Sequence, residues 1–447
     1  MRSNSWMGNT RMKFVAGAVL LCLASAAGAS SLVGGGATLP AIGYTGSATF
    51  PAAFTPITPG AGSLLGVYAS TSSNSVTYCP TGSGAGKKIL AGNTPATFQV
   101  NGRCGETSTT APLGFTLGGT SLAQASFAAS DAPIAASEFA AYTAGHGTGT
   151  QPVQFPSVAG AIAVVFNKAG VTSLTLTEAQ ICGVFSGKIT NWSDLVAGAT
   201  GTIKVVYRSD GSGTSFSMLN HLSAVCPANV FAGTTVADQF TTSQNWAGGL
   251  DSTGRPVGAQ AYINSSFVPA NGNAGVTSTV TSTADSIGYA EAANGITAPA
   301  RFASVRNAHS NAVVSPATGF GLTTFSVPST ALVYDQSIAD TTTSTGRPIL
   351  NALSTTSQCI AVVNPDAYAD PSTGYPIVAV TYLLANGQGN GSDASAVSGL
   401  LFSPYNKTTR SSVTKIGRIN TGYAWLANAT LDDSTGIQAK IDGCVGQ

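Results

Sequence analysis

The chain has 447 residues, room for two domains or three small ones at roughly 100–200 residues each. Hydrophobic residues make up 43% and charged residues only 8%, which supplies a large core and argues against a disordered chain. The formal net charge is +1 and no basic run exceeds Lys87-Lys88, which argues against nucleic acid as a partner, because phosphate-backbone binding needs clustered Lys and Arg.

Residues 1–29 read as a signal peptide. Arg2, Arg11 and Lys13 precede the apolar run FVAGAVLLCLASAAGA, which ends in small residues, and cleavage after Ala26 or Ala29 fits. The run is too short to span a bilayer comfortably, and no membrane span is expected after its removal. Leu21 precedes Cys22, where a lipid anchor would want a small residue, so no anchor is read. Six cysteines then remain: Cys79, Cys104, Cys182, Cys226, Cys359 and Cys444. An even count in an exported chain favours disulfides, and nearest-neighbour pairing gives Cys79–Cys104, Cys182–Cys226 and Cys359–Cys444. Fifteen pairings are formally open to six cysteines. A zinc site competes poorly, with no C-x-x-C and three histidines, so no metal and no cofactor are expected.

Residues 31–43 read as a short strand, a glycine turn and a helix start. Residues 44–128, rich in Gly, Ser, Thr and Pro, read as strands and loops with little helical period. Residues 130–143 read as a helix with Ser130 or Asp131 near its N-cap and Glu138 further in. The apolar run 153–167 reads as a strand interrupted by proline. A helix over 175–187 is opened by Thr and closed by Gly187. A strand over 203–210 is followed by a helix over 214–226, and later strands fall at 286–291, 331–335 and 375–384. Strands alternating with helices point to α/β layers.

The stretch VVYRSDGSGTS (205–215) carries the sharpest chemical signal. A strand-to-helix turn leaves the helix N-terminus at the strand's carboxyl end, where orphan N–H groups and the dipole favour an anion. Gly211 and Gly213 permit close approach, Ser212 and Thr214 add hydroxyls, and the Arg208 fork matches a tetrahedral oxyanion in two bonds. Beside this cradle stands a blander reading, a well-capped turn with a surface ion pair between Arg208 and Asp210. Neither G-x-x-x-x-G-K nor G-x-S-x-G is present, so ATP chemistry and a serine-hydrolase elbow are unsupported. GGGATLP, PTGSGAGKK and ASDAPI have the same small-donor character. There Asp131 reads most simply as an N-cap.

GGGATLP, ASDAPI, FPSVAGAIAVVFN, CGVFSGKITNWSDL, VVYRSDGSGTSF and SIGYAE occur in this order. Together they resemble the PstS-type phosphate-binding proteins of ABC phosphate uptake, with a lean toward the DING branch. The resemblance implies an α/β, two-lobed class II periplasmic-binding-protein fold with the ligand cleft between the lobes. It places lobe one at 30–157 and 375–447, with an insertion within 44–128, and lobe two at 158–374. It implies phosphate binding by Thr38, the Leu39 N–H, Ser83, Ser130, Asp131, Arg208, Ser212, Gly213 and Thr214, with Asp210 orienting the arginine. Trp192 and Tyr289 match aromatic positions read as core. The branch has cysteine pairs matching Cys182–Cys226 and Cys359–Cys444. The interval from Thr38 to Asp131 is nearly twice that of shorter members, so Ser83 could yield its place to a Gly-Thr-Ser stretch at 119–121.

The expected function is capture of inorganic phosphate for an ABC permease, or scavenging, by a periplasmic or secreted monomer with no catalytic residue. In a cleft stripped of water every anion oxygen must find a donor. A carboxylate at Asp131 then makes sense as the acceptor for the proton that phosphate keeps and sulfate lacks. Two other classes were weighed. An adhesion or surface protein would use the insertion for contacts. A phosphatase would need a nucleophile or paired metals.

Overall fold

A computed structural model describes residues 28–47, 56–92, 125–226, 239–297, 301–318, 320, 324–434 and 436–446. The signal segment up to residue 27, the alternative stretch 119–121 and Cys104 fall outside the described residues, and with Cys104 the Cys79–Cys104 pairing. We number only the elements that build the site. The strands are β1 (Ser31–Gly36), β2 (Ser75–Cys79), β3 (Phe127–Ser130), β4 (Pro152–Asn167), β5 (Lys204–Arg208), β6 (Phe267–Ala270), β7 (Ser286–Glu291), β8 (Val378–Asn386) and β9 (Tyr423–Ala427). The helices are α1 (Ala41–Thr45), α2 (Leu64–Ser72), α3 (Ser83–Ala91), α4 (Ala136–His146), α5 (Glu178–Phe185), α6 (Gly213–Val225) and α7 (Gly272–Ser282).

Their sheet runs in the order β2-β1-β3-β8-β4-β7-β5-β6. Parallel pairing joins β1 to β2 and to β3, and β5 to β6 and to β7. The long strand β4 changes partners along its length: residues 152–161 pair antiparallel with β8, and 162–167 with β7. β9 pairs with residues 158–160 of β4. One strand therefore serves two groups of parallel strands whose carboxyl ends can meet over a common cleft. All of β4 but its last residue is buried, as befits a central strand whose residues 158–166 are all apolar.

Three expectations need correction. The 44–128 stretch holds two described helices, α2 and α3, where strands and loops were expected. Ser63 starts α2 by accepting the Gly66 N–H at 3.2 Å, and Leu64, Leu65, Val67 and Tyr68 supply the buried face, so capping and packing override a weak helical period. Pro156 does not interrupt β4. It faces Tyr382 while Val158 faces Thr381, leaving Ser157 as the extra residue of a bulge, where a missing N–H costs no ladder bond. Helix α4 begins at Ala136, five residues after Asp131, so neither Ser130 nor Asp131 caps it. Glu138 satisfies the Ala135 N–H at 2.8 Å instead.

Thr177 caps α5 with Gln180 in a capping box. The pairs Cys182–Cys226 and Cys359–Cys444 stand at bonding distance. Among the described residues no helix is long and apolar enough to cross a membrane.

Candidate functional site

The four small-donor stretches lie at the carboxyl ends of parallel strands. Thr38 and Leu39 follow β1, Ser83 follows β2, and Asp131 follows β3. Arg208 ends β5, with Asp210 to Thr214 behind it. The end of β6 adds Gly272 and Asn273, which open α7.

Arg208 anchors one half. Its side chain is 1% exposed and Asp210 is 14% exposed, so this is a buried pair and the surface-pair reading fails. Nε donates to Asp210 Oδ1 at 2.7 Å and Nη2 donates to Oδ2. Nη1 donates to Thr214 Oγ1 at 3.3 Å and to Asn273 Oδ1 at 3.0 Å. Of the five guanidinium N–H donors, one on Nη2 is left over. The side-on fork thus serves Asp210, and an anion would meet only the far end, where two bonds were expected. Burial alone would raise the Asp210 carboxyl, but the charge and hydrogen bonds of Arg208 overcome it and hold the group below the usual carboxylate range. Asp210 Oδ1 also accepts the Gly272 N–H at 3.0 Å, which fixes the pair to α7.

Ser212 caps α6 by accepting the Ser215 N–H at 3.0 Å, and its carbonyl accepts Phe216 N–H. The N–H groups of Gly213 and Thr214 remain as the helix's first-turn donors. Tyr289 is more than the core residue expected. Its ring packs on Trp246 and Phe185, while its hydroxyl accepts the Arg208 N–H at 3.2 Å and lies 2.7 Å from Ser215 Oγ. Trp192 is buried core, as expected.

Asp131 anchors the other half and is 1% exposed. Its Oδ1 accepts Thr381 Oγ1 at 2.7 Å and its Oδ2 accepts Ser83 Oγ at 3.3 Å. Its own N–H donates to Ser83 Oγ at 3.0 Å. Burial pushes the carboxyl up to about 7, against the pull of Thr381, Arg208, Ser83 and Lys87. Lys87, also buried, is occupied by Glu138 at 2.6 Å.

The halves are in contact. A Cβ on Gly213 would lie 2.5 Å from both Asp131 Cβ and Ser83 Oγ, so only glycine lets α6 approach so closely. Gly84 N–H donates to Gly211 O at 3.0 Å. Gly82, at φ 93°, brings its backbone beside Asp210. Asn273 closes the circuit by donating to Thr38 Oγ1 at 3.1 Å and Thr214 Oγ1 at 3.2 Å.

Hydrogen bonds and close contacts therefore bring Thr38, Ser83, Asp131, Arg208, Asp210, Gly213 and Thr214 together. Leu39, next to Thr38, is held through its carbonyl, which accepts Tyr423 OH at 2.5 Å. The hydroxyl of Ser130 is spent locally, donating to Ala132 O at 2.6 Å, whereas Ser212 Oγ only accepts in the cap and keeps its proton as a donor. Sequence reasoning missed Asn273 and Thr381. Position after a strand adjoining β5 was the one available signal for Asn273, and Thr381 sits unmarked within the apolar run YPIVAVTYLL.

Comparison with known proteins gives consistent results. A family model described as "PBP superfamily domain" matches residues 52–401. "Alkaline phosphatase L" of Pseudomonas aeruginosa is 30% identical over 273 residues, 60% of this chain and 61% of that protein. A "Phosphate-binding protein" from an unknown prokaryotic organism is 37% identical over 148 residues, 32% of this chain and 39% of that one. The chain thus spans less than two thirds of the length of either relative. Among solved structures, "a high affinity periplasmic phosphate-binding protein (PfluDING) bound with phosphate at pH 8.5" aligns with a TM-score of 0.56 over 93% of this chain and 99% of that one, at 22% identity. That last likeness is one of fold.

Proposed function

We propose, given that this chain belongs to the PBP superfamily, that it is an exported phosphate-binding protein of the PstS type, which captures inorganic phosphate between two α/β lobes for an ABC permease or for scavenging. Lobe one comprises 30–157 and 375–447, and lobe two 158–374. The change of β4 partners between residues 161 and 162 supports a hinge in that strand. The protein works as a monomer in the periplasm or outside the cell.

One observation carries the reading: a buried carboxylate set among donors. Arg208 Nη2, the N–H groups of Gly213 and Thr214, and the hydroxyls of Thr38 and Thr214 suit the oxygens of a tetrahedral anion. Asp131 belongs to the same group and can only accept when ionised. An anion that keeps one proton satisfies it. Sulfate leaves two acceptors opposed in a site without water. Sites that demand such a bond reject analogues lacking it by roughly 10⁴–10⁵.

The name of the Pseudomonas relative motivates a second reading, hydrolysis of phosphate esters. Ser212 is the nucleophile it would call on, and its oxygen is engaged in capping α6. We therefore assign binding without a chemical step. Isothermal titration calorimetry tests both. Phosphate binding is expected below micromolar concentration with no heat from sulfate, and absence of such binding rejects the proposal. Turnover of a phosphate ester that disappears with Ser212→Ala would revive the enzyme.

A further inference from the structure

Asn273 belongs to none of the stretches that carry the sequence signal, yet it touches three of the side chains brought together there. It is fully buried at the second position of α7. All its principal hydrogen-bonding capacity is committed. Oδ1 accepts Arg208 Nη1 at 3.0 Å, and the two N–H groups of Nδ2 donate to Thr38 Oγ1 at 3.1 Å and Thr214 Oγ1 at 3.2 Å. Thr38 follows β1 and Thr214 opens α6, so the amide bridges the two strand groups.

We propose that Asn273 is a positioning residue that fixes the Thr214 hydroxyl as a donor, orients that of Thr38 and latches the halves of the site together. The inference rests on the phosphate reading. A threonine oxygen has two lone pairs and one proton. Thr214 Oγ1 accepts from both Arg208 Nη1 and Asn273 Nδ2, so both lone pairs are taken and its proton must point elsewhere. Thr38 Oγ1 accepts one bond, from Asn273, which takes one of its two lone pairs. On the phosphate reading, the Thr214 proton is the one left for the anion. Asn273 thus makes Thr214 a donor and turns Thr38 by occupying one of its lone pairs, leaving Asp131 as the acceptor. It also carries a contact from Thr38 across to α6 that would break on opening.

The order of two substitutions separates this role from simple support. Asn273→Asp keeps the shape and gains a charge partner in Arg208, so a merely structural residue would tolerate it better than Asn273→Ala. The inference demands the reverse. An aspartate draws both threonine protons toward itself and sets a negative charge beside the anion. By calorimetry, Asn273→Ala is expected to weaken phosphate binding about 10-fold, and Asn273→Asp at least about 100-fold. Both variants should still unfold in one cooperative transition without phosphate, Asn273→Ala below the parent because Arg208 Nη1 loses a buried acceptor. Phosphate binding by Asn273→Asp as tight as, or tighter than, that of Asn273→Ala overturns the inference. A double-mutant cycle of Asn273→Ala with Thr38→Val covers poor folding of the aspartate variant. Coupling of about threefold or more is expected, and independent effects overturn the inference. A parent chain that binds no phosphate rejects the functional reading and this inference with it. A parent that binds, beside variants that behave contrary to the expected order or coupling, rejects the inference alone.

Discussion

Asp131→Asn is expected to collapse the preference for phosphate over sulfate by at least about 100-fold, chiefly through lost phosphate affinity and gained sulfate affinity. Asparagine fills the same space but presents an N–H to the anion, where the carboxylate presents only acceptors. Competition calorimetry with the two anions at pH 8 measures the ratio, and an unchanged ratio rejects the role given to Asp131. The same substitution has an opposite effect on stability. The carboxyl of Asp131 is held up to about 7 in the folded chain by burial, against 3.8 as its ordinary value. Between those values the folded state keeps a proton that the unfolded chain has lost, so stability falls as pH rises through the window and is then level. The loss from this group is about 4 kcal/mol at most. An asparagine in its place has no proton to lose. Phosphate-free Asp131→Asn should therefore melt higher than the parent at pH 8 and near it at pH 4. A lower melting temperature at pH 8 contradicts the burial argument.

Arg208→Lys is expected to abolish phosphate binding within the reach of calorimetry. Lysine cannot serve Asp210 side-on, Thr214 and Asn273 at once, since its ammonium is a point donor with three protons. The arginine makes all four of those bonds and still keeps one N–H. The fold suffers as well. Asp210 is left with a poorly matched partner in a buried position, and broken buried pairs cost about 3–5 kcal/mol. Thermal unfolding should show a loss of several degrees. Asp131→Asn alters which anion binds, whereas Arg208→Lys removes the phosphate binding itself. Retention of phosphate affinity within about 10-fold in the lysine variant would mean that Arg208 lies outside the site.

The elements that carry chemistry were legible because their signals are local. A strand ending at Arg208 and a helix opening at Gly213 announce themselves through Gly, Ser and Thr in the turn. The two cysteine pairs at bonding distance, Cys182–Cys226 and Cys359–Cys444, follow nearest-neighbour order. Asp131 was ambiguous, because an Asx residue before an Ala-rich segment has the pattern of a cap, and only the start of α4 at Ala136 removes that meaning. Asn273 and Thr381 were hidden for another reason. Their partners Thr38 and Asp131 lie 235 and 250 residues away, and no local pattern encodes such contacts. Tyr289 was half legible: its hydrophobic setting marks the ring as core, but nothing nearby in sequence marks the hydroxyl as the support of Arg208. Pro156 misled because a proline inside an apolar run usually ends a strand, and the bulge at Ser157 exists only once β8 is in register.

The central claim is that Asp131 and Arg208, brought together from separate strand ends, hold one protonated tetrahedral anion. A crystal structure of the full chain grown with phosphate tests it most directly. The account predicts a phosphate whose oxygens lie within about 3.2 Å of the Asp131 carboxylate, Arg208 Nη2, the hydroxyls of Thr38 and Thr214, and the N–H groups of Gly213 and Thr214. A phosphate bound elsewhere, or one in the cleft with Asp131 turned away from it, would contradict the account.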